Sequence, residues 1–147
     1  QVEIIPVRRV FSRLQRLLAD ELRVRDIFIA IDVAPETLEI TADPGLLDQA
    51  LINLLRNAIE ALREAPDARI TLTARAQPGA RVAITVSDNG PGIAPGQREK
   101  VFVPFYTTKR QGSGVGLTLV RQIAAVHGAN VTIADTHGGG ASVSIVF

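Results

Sequence analysis

A long polar segment bracketed by two glycine clusters constrains this chain more than any other feature. The first cluster lies in residues 88–93 (DNGPGI) and the second in residues 112–117 (GSGVGL). Connections inside a compact domain are seldom longer than about 12–15 residues unless they are functional or disordered. The second cluster leads directly into a segment with helical apolar spacing, and free N–H groups at a helix N-terminus attract anions. The pattern predicts a loop that binds a phosphate-bearing ligand, with the rest of the chain as its scaffold.

Composition limits the class of protein. The 147 residues fit one domain, and the 46% apolar and 21% charged residues are typical of a soluble globule. A net charge of +1 gives no electrostatic basis for binding nucleic acid or a membrane. The absence of cysteine excludes disulfides and zinc-thiolate sites, and two histidines argue against a catalytic zinc. With no spanning apolar run and no signal peptide in the sequence, we expect a cytoplasmic domain, and the missing initial methionine suggests a fragment of a longer protein.

Apolar periodicity predicts the secondary structure. Three segments with apolar residues at i, i+3 and i+4 are predicted helices: 7–22, 44–63 and 115–127. Six shorter segments between turn residues are predicted strands: 27–33, 38–42, 69–76, 82–87, 130–134 and 141–147. The first two strands could form a hairpin, and the next two flank a Pro78-Gly79 turn. Because strands and helices do not simply alternate, the pattern favours a two-layer α/β sandwich over a parallel doubly wound sheet.

Two asparagines interrupt the strongest predicted helix. Asn53 and Asn57 lie four positions apart, so they project from the same side, one turn from each other. Asparagine is a poor helix former that prefers caps and turns. Two of them in the middle of a helix therefore indicate a role beyond the fold.

Each glycine cluster alone is a weak signal. The second cluster lacks the Rossmann spacing and follows a polar loop instead of a strand. No lysine followed by serine or threonine completes a Walker loop, and residues 88–90 lack the later acids of a calcium loop. Taken singly, either cluster is equally consistent with a simple turn.

Four motifs together are far more specific. Asn57 on a helix, D-x-G-x-G at 88–92 after a strand, Phe102 with Phe105, and G-x-G-x-G at 112–116 occur in that order. They resemble the boxes of the superfamily of gyrase, heat-shock chaperone, histidine kinase and mismatch-repair ATPases.

More narrowly, the chain resembles the catalytic and ATP-binding domain of a bacterial sensor histidine kinase. Residues 53–61 (NLLRNAIEA) and 104–109 (PFYTTK) are most similar to the nitrogen-regulation subgroup. The resemblance covers residues 1–147 as one domain, without the phosphoacceptor, dimerisation or sensor domains. It implies a Bergerat-type ATP-binding fold, with a mixed, mostly antiparallel sheet covered by three helices.

The resemblance implies an adenine site around Asp88. Asp88 would accept a hydrogen bond from the adenine amino group, which gives base selectivity because unpaired buried polar groups are costly. Gly90 and Gly92 would let the backbone approach the purine. Ser142 occupies a position where relatives often carry a threonine near adenine, although a plain strand serine is an equally good interpretation.

The resemblance also implies the metal and phosphate contacts. Asn57 would ligate Mg²⁺ through its amide oxygen, and Lys109 would meet the β- or γ-phosphate, so these two are the expected catalytic residues. Asn53 would bind a metal water or a phosphate oxygen, or simply lie exposed beside the site. One neutral protein ligand is enough for magnesium, which keeps several waters and is held mainly by phosphates.

A lid and a phosphate cradle complete the implied site. Residues 93–113 would be the ATP lid, packed against the body by Phe102 and Phe105. The lid leads into the nucleotide-binding positions of the cradle, which are Gly112, Gly114, Val115, Gly116 and Leu117.

Asn53 indicates which reaction to expect. Hydrolases of the superfamily carry a glutamate one turn before the metal asparagine, and an asparagine there cannot take a proton from water. The resemblance therefore implies phosphoryl transfer to a histidine on a separate dimerisation domain of the same kinase, for relay to a cognate response regulator. His127 and His137 lack the acid that follows an acceptor histidine, so we expect them to be structural. A non-catalytic nucleotide-binding module and an ATPase of the superfamily remain alternatives, while a serine-phosphorylating anti-sigma-factor relative is disfavoured.

For the domain itself we expect no nucleic acid partner and no direct membrane contact, although the full-length kinase could be anchored in the inner membrane.

Overall fold

The computed structural model describes residues 1–92, 116–135 and 139–147. Within these residues the chain forms seven strands and four helices. In chain order they are β1 (Glu3–Pro6), α1 (Val7–Leu17), α2 (Ala19–Val24), β2 (Phe28–Ala34), β3 (Glu39–Ala42), α3 (Pro44–Ala61), β4 (Arg69–Gln77), β5 (Arg81–Asp88), α4 (Gly116–Val126), β6 (Asn130–Asp135) and β7 (Ala141–Val146).

The main sheet is mixed and mostly antiparallel. Its strand order is β2-β4-β5-β7-β6, with β2 parallel to β4 and the other three pairs antiparallel. A parallel pair needs a long crossover connection, and α3 lies in the chain between β2 and β4. The predicted α/β fold class is confirmed.

The two faces of this sheet differ sharply. One face carries alternate apolar residues such as Ile70, Leu72 and Ile84, which are fully buried in the core beneath the helices. The opposite face carries short hydroxyl side chains that pair across strands. The Thr85 and Ser144 hydroxyls lie 2.7 Å apart, as do those of Ser87 and a serine of β7. The helices therefore pack on one face, which makes the structure two-layered.

The predicted hairpin between residues 27–33 and 38–42 is wrong. β2 pairs with β4, with Ile31 opposite Leu72, whereas β3 pairs with β1 in a separate two-stranded sheet, with Ile40 opposite Ile5. Pairing with β4 extends the apolar face of the main sheet, which a local hairpin would not do. The sequence did not predict β1, because four residues are too few to show a period.

The single helix predicted for residues 7–22 is two helices. Leu18 separates them with φ −101° and ψ 5°. The Leu18 N–H still donates to Leu14 O and the Leu22 N–H to Leu18 O, so the i, i+4 apolar spacing continues across the break. Asp20 and Glu21 lie in the first turn of α2, where acids are favoured, and they were the available signal for a new helix start.

The C-terminal end of α4 is attached to the N-terminal end of α3. Asp43 caps α3 by accepting a hydrogen bond from the Leu46 N–H (3.0 Å), and this bond, followed by the amino terminus, lowers the pKa of Asp43. His127 Nε2 accepts from the Asp43 backbone N–H (3.1 Å), while Nδ1 bonds Ile123 O (2.8 Å). The imidazole therefore joins the end of α4 to the start of α3, which is a structural role of the kind expected for His127.

None of the helices described here combines the length and apolarity that a membrane span requires.

Candidate functional site

Asp88 lies at the end of β5 with its carboxylate inside the protein. It is 8% exposed and is the one buried charged residue in the described parts of the chain. Its Oδ1 accepts a hydrogen bond from the Gly90 N–H (2.9 Å) and a longer one from the Ala141 N–H (3.4 Å). Backbone donors thus hold the carboxylate in one orientation, at the start of the first glycine cluster.

Three glycines bring backbone segments into direct contact around Asp88. A Cβ added to Gly90 would lie 2.9 Å from Ala61 O at the end of α3. Gly92 has φ +80°, and its added Cβ would lie 3.0 Å from Gly140 O. Gly140 makes the closest contact of the three. It has φ +90°, and an added Cβ would lie 1.9 Å from Asp88 O. The end of α3, the end of β5 and the turn before β7 therefore meet through positions that tolerate no side chain.

Sequence reasoning missed the role of Gly140. The run of glycines at 138–140 indicated only a turn, since its contact with Asp88 joins residues that are distant in the chain. The available signal was the third consecutive glycine, because a turn alone seldom needs three.

Asn89 anchors this corner of the sheet. Its Oδ1 accepts from the Arg69 N–H (2.8 Å), and its Nδ2 donates to Asp67 O (2.8 Å). Arg69 begins β4 and Asp67 lies two residues before it, so the side chain fixes the chain directly after Asp88. Asn89 therefore acts on the position of the neighbouring carboxylate through the backbone.

Helix α3 presents Asn53 and Asn57 on the side that leads to Gly90. Both are half-buried, and Ala61, which contacts Gly90, lies four positions beyond Asn57. Asn53 Nδ2 donates to Gln49 O (2.9 Å), so its own helix orients the amide. The structure thus brings the two asparagines and the Asp88–Gly90 corner to the same side of α3.

Ser142 lies on the other face of the sheet from the Asp88 carboxylate. Its hydroxyl lies 2.7 Å from that of Ser87, on the hydroxyl face of the sheet. Asp88 follows Ser87 and points to the opposite face, because successive strand residues alternate. The β7 residue beside the carboxylate is Ala141, which is buried and donates its N–H to Asp88. The expected adenine contact from Ser142 therefore does not fit the strand register, and Ala141 occupies that place.

The other expected site residues are only partly described. Gly116 begins α4, and Leu117 is partly buried against the core. The remaining predictions lie outside the described residues: Lys109, Gly112, Gly114, Val115, the lid at 93–113 with Phe102 and Phe105, and His137.

Comparison with known sequences defines the class. Residues 42–147 match the family model described as histidine kinase-, DNA gyrase B- and HSP90-like ATPase. The sensor histidine kinase ZraS of Escherichia coli O157:H7 is 36% identical over 147 residues, which cover 98% of this chain and 31% of ZraS. The sensory histidine kinase/phosphatase NtrB of Rhizobium leguminosarum bv. phaseoli is 34% identical over 142 residues, covering 84% of this chain and 37% of NtrB.

Solved structures agree with the sequence relatives. The catalytic domain of histidine kinase ThkA has a TM-score of 0.89 at 27% identity, covering 100% of this chain and 97% of that domain. Full-length ShkA in complex with AMPPNP has a TM-score of 0.89 at 30% identity, covering 99% of this chain and 30% of ShkA. ThkA in complex with the response regulator TrrA has a TM-score of 0.85 at 26% identity, covering 99% of this chain and 41% of ThkA.

The chain therefore belongs to the family of histidine kinase-, DNA gyrase B- and HSP90-like ATPases. Within that family its relatives are sensor histidine kinases, and its structural neighbours are histidine kinase catalytic domains. The resemblance inferred from the four motifs is confirmed. The chain spans 31% of the length of ZraS.

Proposed function

We propose that this domain binds Mg-ATP and delivers the γ-phosphoryl group to a histidine on a separate dimerisation domain of the same kinase. The observation that carries the proposal is the buried Asp88 carboxylate, held by the Gly90 N–H at a corner built from glycine backbone. This corner fits a flat base with an exocyclic amino group. The fold of kinase catalytic domains and the similarity to a structure solved with AMPPNP support the same ligand class.

The Asp88 corner favours adenine through its hydrogen-bond chemistry. A carboxylate is an acceptor only, so it needs a donor on the ligand, and adenine offers its amino group. Guanine carries a carbonyl oxygen at that position and would leave two acceptors facing each other in a buried site, which is costly. The lack of a Cβ at Gly90 and Gly92 lets the chain after Asp88 pack against Ala61 O and Gly140 O, which would hold the carboxylate in place for the base.

Asn57 fits a magnesium ion that enters with the nucleotide. Magnesium prefers oxygen ligands and is usually held by one or two protein groups together with substrate phosphates. Asn57 supplies one amide oxygen from a rigid helix, and Asn53, one turn earlier, would bind a metal water or a phosphate oxygen. The bound ion would neutralise charge on the phosphates during transfer.

The phosphates would be held from the second glycine cluster. We assign this role to Lys109 and to the cradle of Gly112, Gly114, Val115, Gly116 and Leu117, because α4 begins at Gly116 and helix N-termini bind anions. Lys109 would meet the β- or γ-phosphate.

Asn53 supports a kinase in preference to a hydrolase. An amide cannot accept a proton from an attacking water, whereas phosphoryl transfer needs mainly positioning and charge stabilisation. The nucleophile would then be the histidine of the dimerisation domain, and the product would pass the phosphoryl group to a cognate response regulator. The similarity to ThkA, solved with its response regulator, supports this order of partners.

Replacing Asn57 with alanine tests the metal assignment. We expect the affinity for ATP, measured by titration calorimetry, to fall roughly 10–100-fold in Mg²⁺, because one ion-to-oxygen contact is lost, and to stay unchanged in EDTA. Asn130→Ala, an exposed asparagine at the start of β6, is the matched control and should change neither value. Equal losses with and without Mg²⁺ would contradict the metal role.

Phosphoryl transfer separates the kinase from a regulatory module. When the domain is mixed with the histidine-bearing domain of its own kinase and γ-labelled ATP, we expect the label on that histidine. ATP binding without any labelled histidine would favour the non-catalytic module, and steady phosphate release without the second domain would favour an ATPase.

A further inference from the structure

Glu60 on α3 holds a buried atom that lacks a partner. The residue is half-buried, and its Oε1 is enclosed by the protein. Among the residues that the structure describes, none forms a hydrogen bond with Oε1, and no other enclosed side-chain oxygen or nitrogen there shares this condition. Leaving a carboxylate oxygen buried and unpaired costs free energy, so a partner that arrives from outside the fold would account for it.

Helix geometry places Glu60 in the proposed nucleotide site. Asn53, Asn57 and Glu60 follow i, i+4, i+7 spacing, so they lie along one side of α3. Side chains on a helix lean towards its N-terminus, which brings the carboxylate of Glu60 back over the turn of Asn57. The next residue, Ala61, contacts Gly90 beside Asp88. Glu60 therefore lies between the proposed metal ligand and the proposed base site.

The charge of Glu60 selects the kind of ligand it can meet. A carboxylate repels a triphosphate, so the two can be neighbours only with a cation between them. Magnesium keeps several of its waters when bound to protein and nucleotide, and these waters are hydrogen-bond donors. A carboxylate that accepts from such a donor forms a charge-assisted hydrogen bond, which is stronger than a neutral one.

We propose that Glu60 accepts a hydrogen bond from a water of the Mg²⁺ ion that Asn57 ligates. Glu60 thereby makes the site select the magnesium complex of ATP over the free nucleotide. The inference rests on the proposed function, since it needs ATP and Mg²⁺ in this site. It adds a negatively charged residue that attracts the ion and repels ATP that lacks it.

Glu60→Gln separates the attraction of Mg²⁺ from the repulsion of metal-free ATP. Glutamine keeps the shape of the side chain and removes its charge. By titration calorimetry we expect the affinity for ATP to fall about tenfold in Mg²⁺, and to stay equal or rise up to about fivefold in EDTA, where only the repulsion is lost. Glu64→Gln is the matched control, since Glu64 is an exposed acid four positions further along. It removes the same charge and should leave the ratio of the two affinities unchanged.

Thermal unfolding without nucleotide gives an independent readout. A neutral amide costs less than a carboxylate to leave buried and unpaired, so Glu60→Gln should unfold at the wild-type temperature or above it. A clear drop would mean that Glu60 has a partner within the protein and would overturn the inference.

The remaining outcomes also decide the matter. Equal losses of affinity in Mg²⁺ and in EDTA would mean that Glu60 contacts a ribose hydroxyl or supports the fold. Unchanged affinity in both conditions would mean that Glu60 does not lie in the nucleotide site. Both results would overturn the inference while ATP binding by the wild type left the proposed function standing. A wild-type domain that does not bind ATP in Mg²⁺ would overturn both.

Discussion

Replacing Asp88 with asparagine should reduce the affinity for ATP by about a hundredfold or more and abolish the preference for ATP over GTP. The carboxylate can accept from the Gly90 N–H and the adenine amino group at once, whereas an amide must turn its NH₂ group towards one of these donors. The variant loses the charge-assisted hydrogen bond to adenine, and its NH₂ group faces another donor in a buried site. These two costs together account for an effect of this size. Titration calorimetry with both nucleotides measures it.

The control for this experiment is Asp32→Asn. Asp32 is an exposed acid on β2 that pairs with Arg75, so its replacement changes the net charge equally without touching the site. Circular dichroism should show the same fold for both variants. If Asp88→Asn bound ATP as tightly as the wild type and still excluded GTP, the base would have to be recognised elsewhere.

Replacing Gly140 with alanine should destabilise the domain by about 3–5 kcal/mol and remove ATP binding. The new Cβ would lie 1.9 Å from Asp88 O, and the residue has φ +90°, so the turn or the end of β5 must move. Any such movement displaces Asp88. For a domain of this size, the midpoint of thermal unfolding should fall by about 10 °C or more.

Gly139→Ala is the control that separates the steric clash of Gly140→Ala from its backbone strain. Gly139 also has a positive φ, +107°, but an added Cβ there would meet no atom within 4 Å in the described parts of the chain. We expect this neighbour to lose only about 1–3 kcal/mol, the cost of the dihedral alone, and to keep ATP affinity at any temperature where it is folded. Similar behaviour of the two variants would mean that the contact with Asp88 carries no function.

The local parts of this site could be predicted from the sequence. Asn53 and Asn57 stand out because asparagine is unusual in a helix interior, and Asp88 because a glycine cluster follows it directly. In each case the residues that make up the signal lie within a few positions of one another in the chain. The helices and most strands were predictable for the same reason, since their periodicity is a local property.

What was missed depends on pairing between distant segments. A slip of one residue along a strand turns every side chain to the other face, and this separates Ser142 from Ala141 beside Asp88. The strand β2 was assigned to its neighbour β3 because a hairpin is the nearest pairing, whereas its partner β4 follows only after α3. Glu60 carried no signal at all, because an acid on a helix is ordinary until its enclosed oxygen is seen.

The imidazole of His127 has a consequence for how the helices of the domain are held together. Its Nε2 accepts from the Asp43 N–H at the cap of α3, and its Nδ1 bonds Ile123 O within α4. One side chain therefore connects the start of the helix that carries Asn57 and Glu60 to the end of α4, which begins at Gly116. A substitution at residue 127 would therefore loosen both helices from the ends that lie opposite to Asn57 and Gly116.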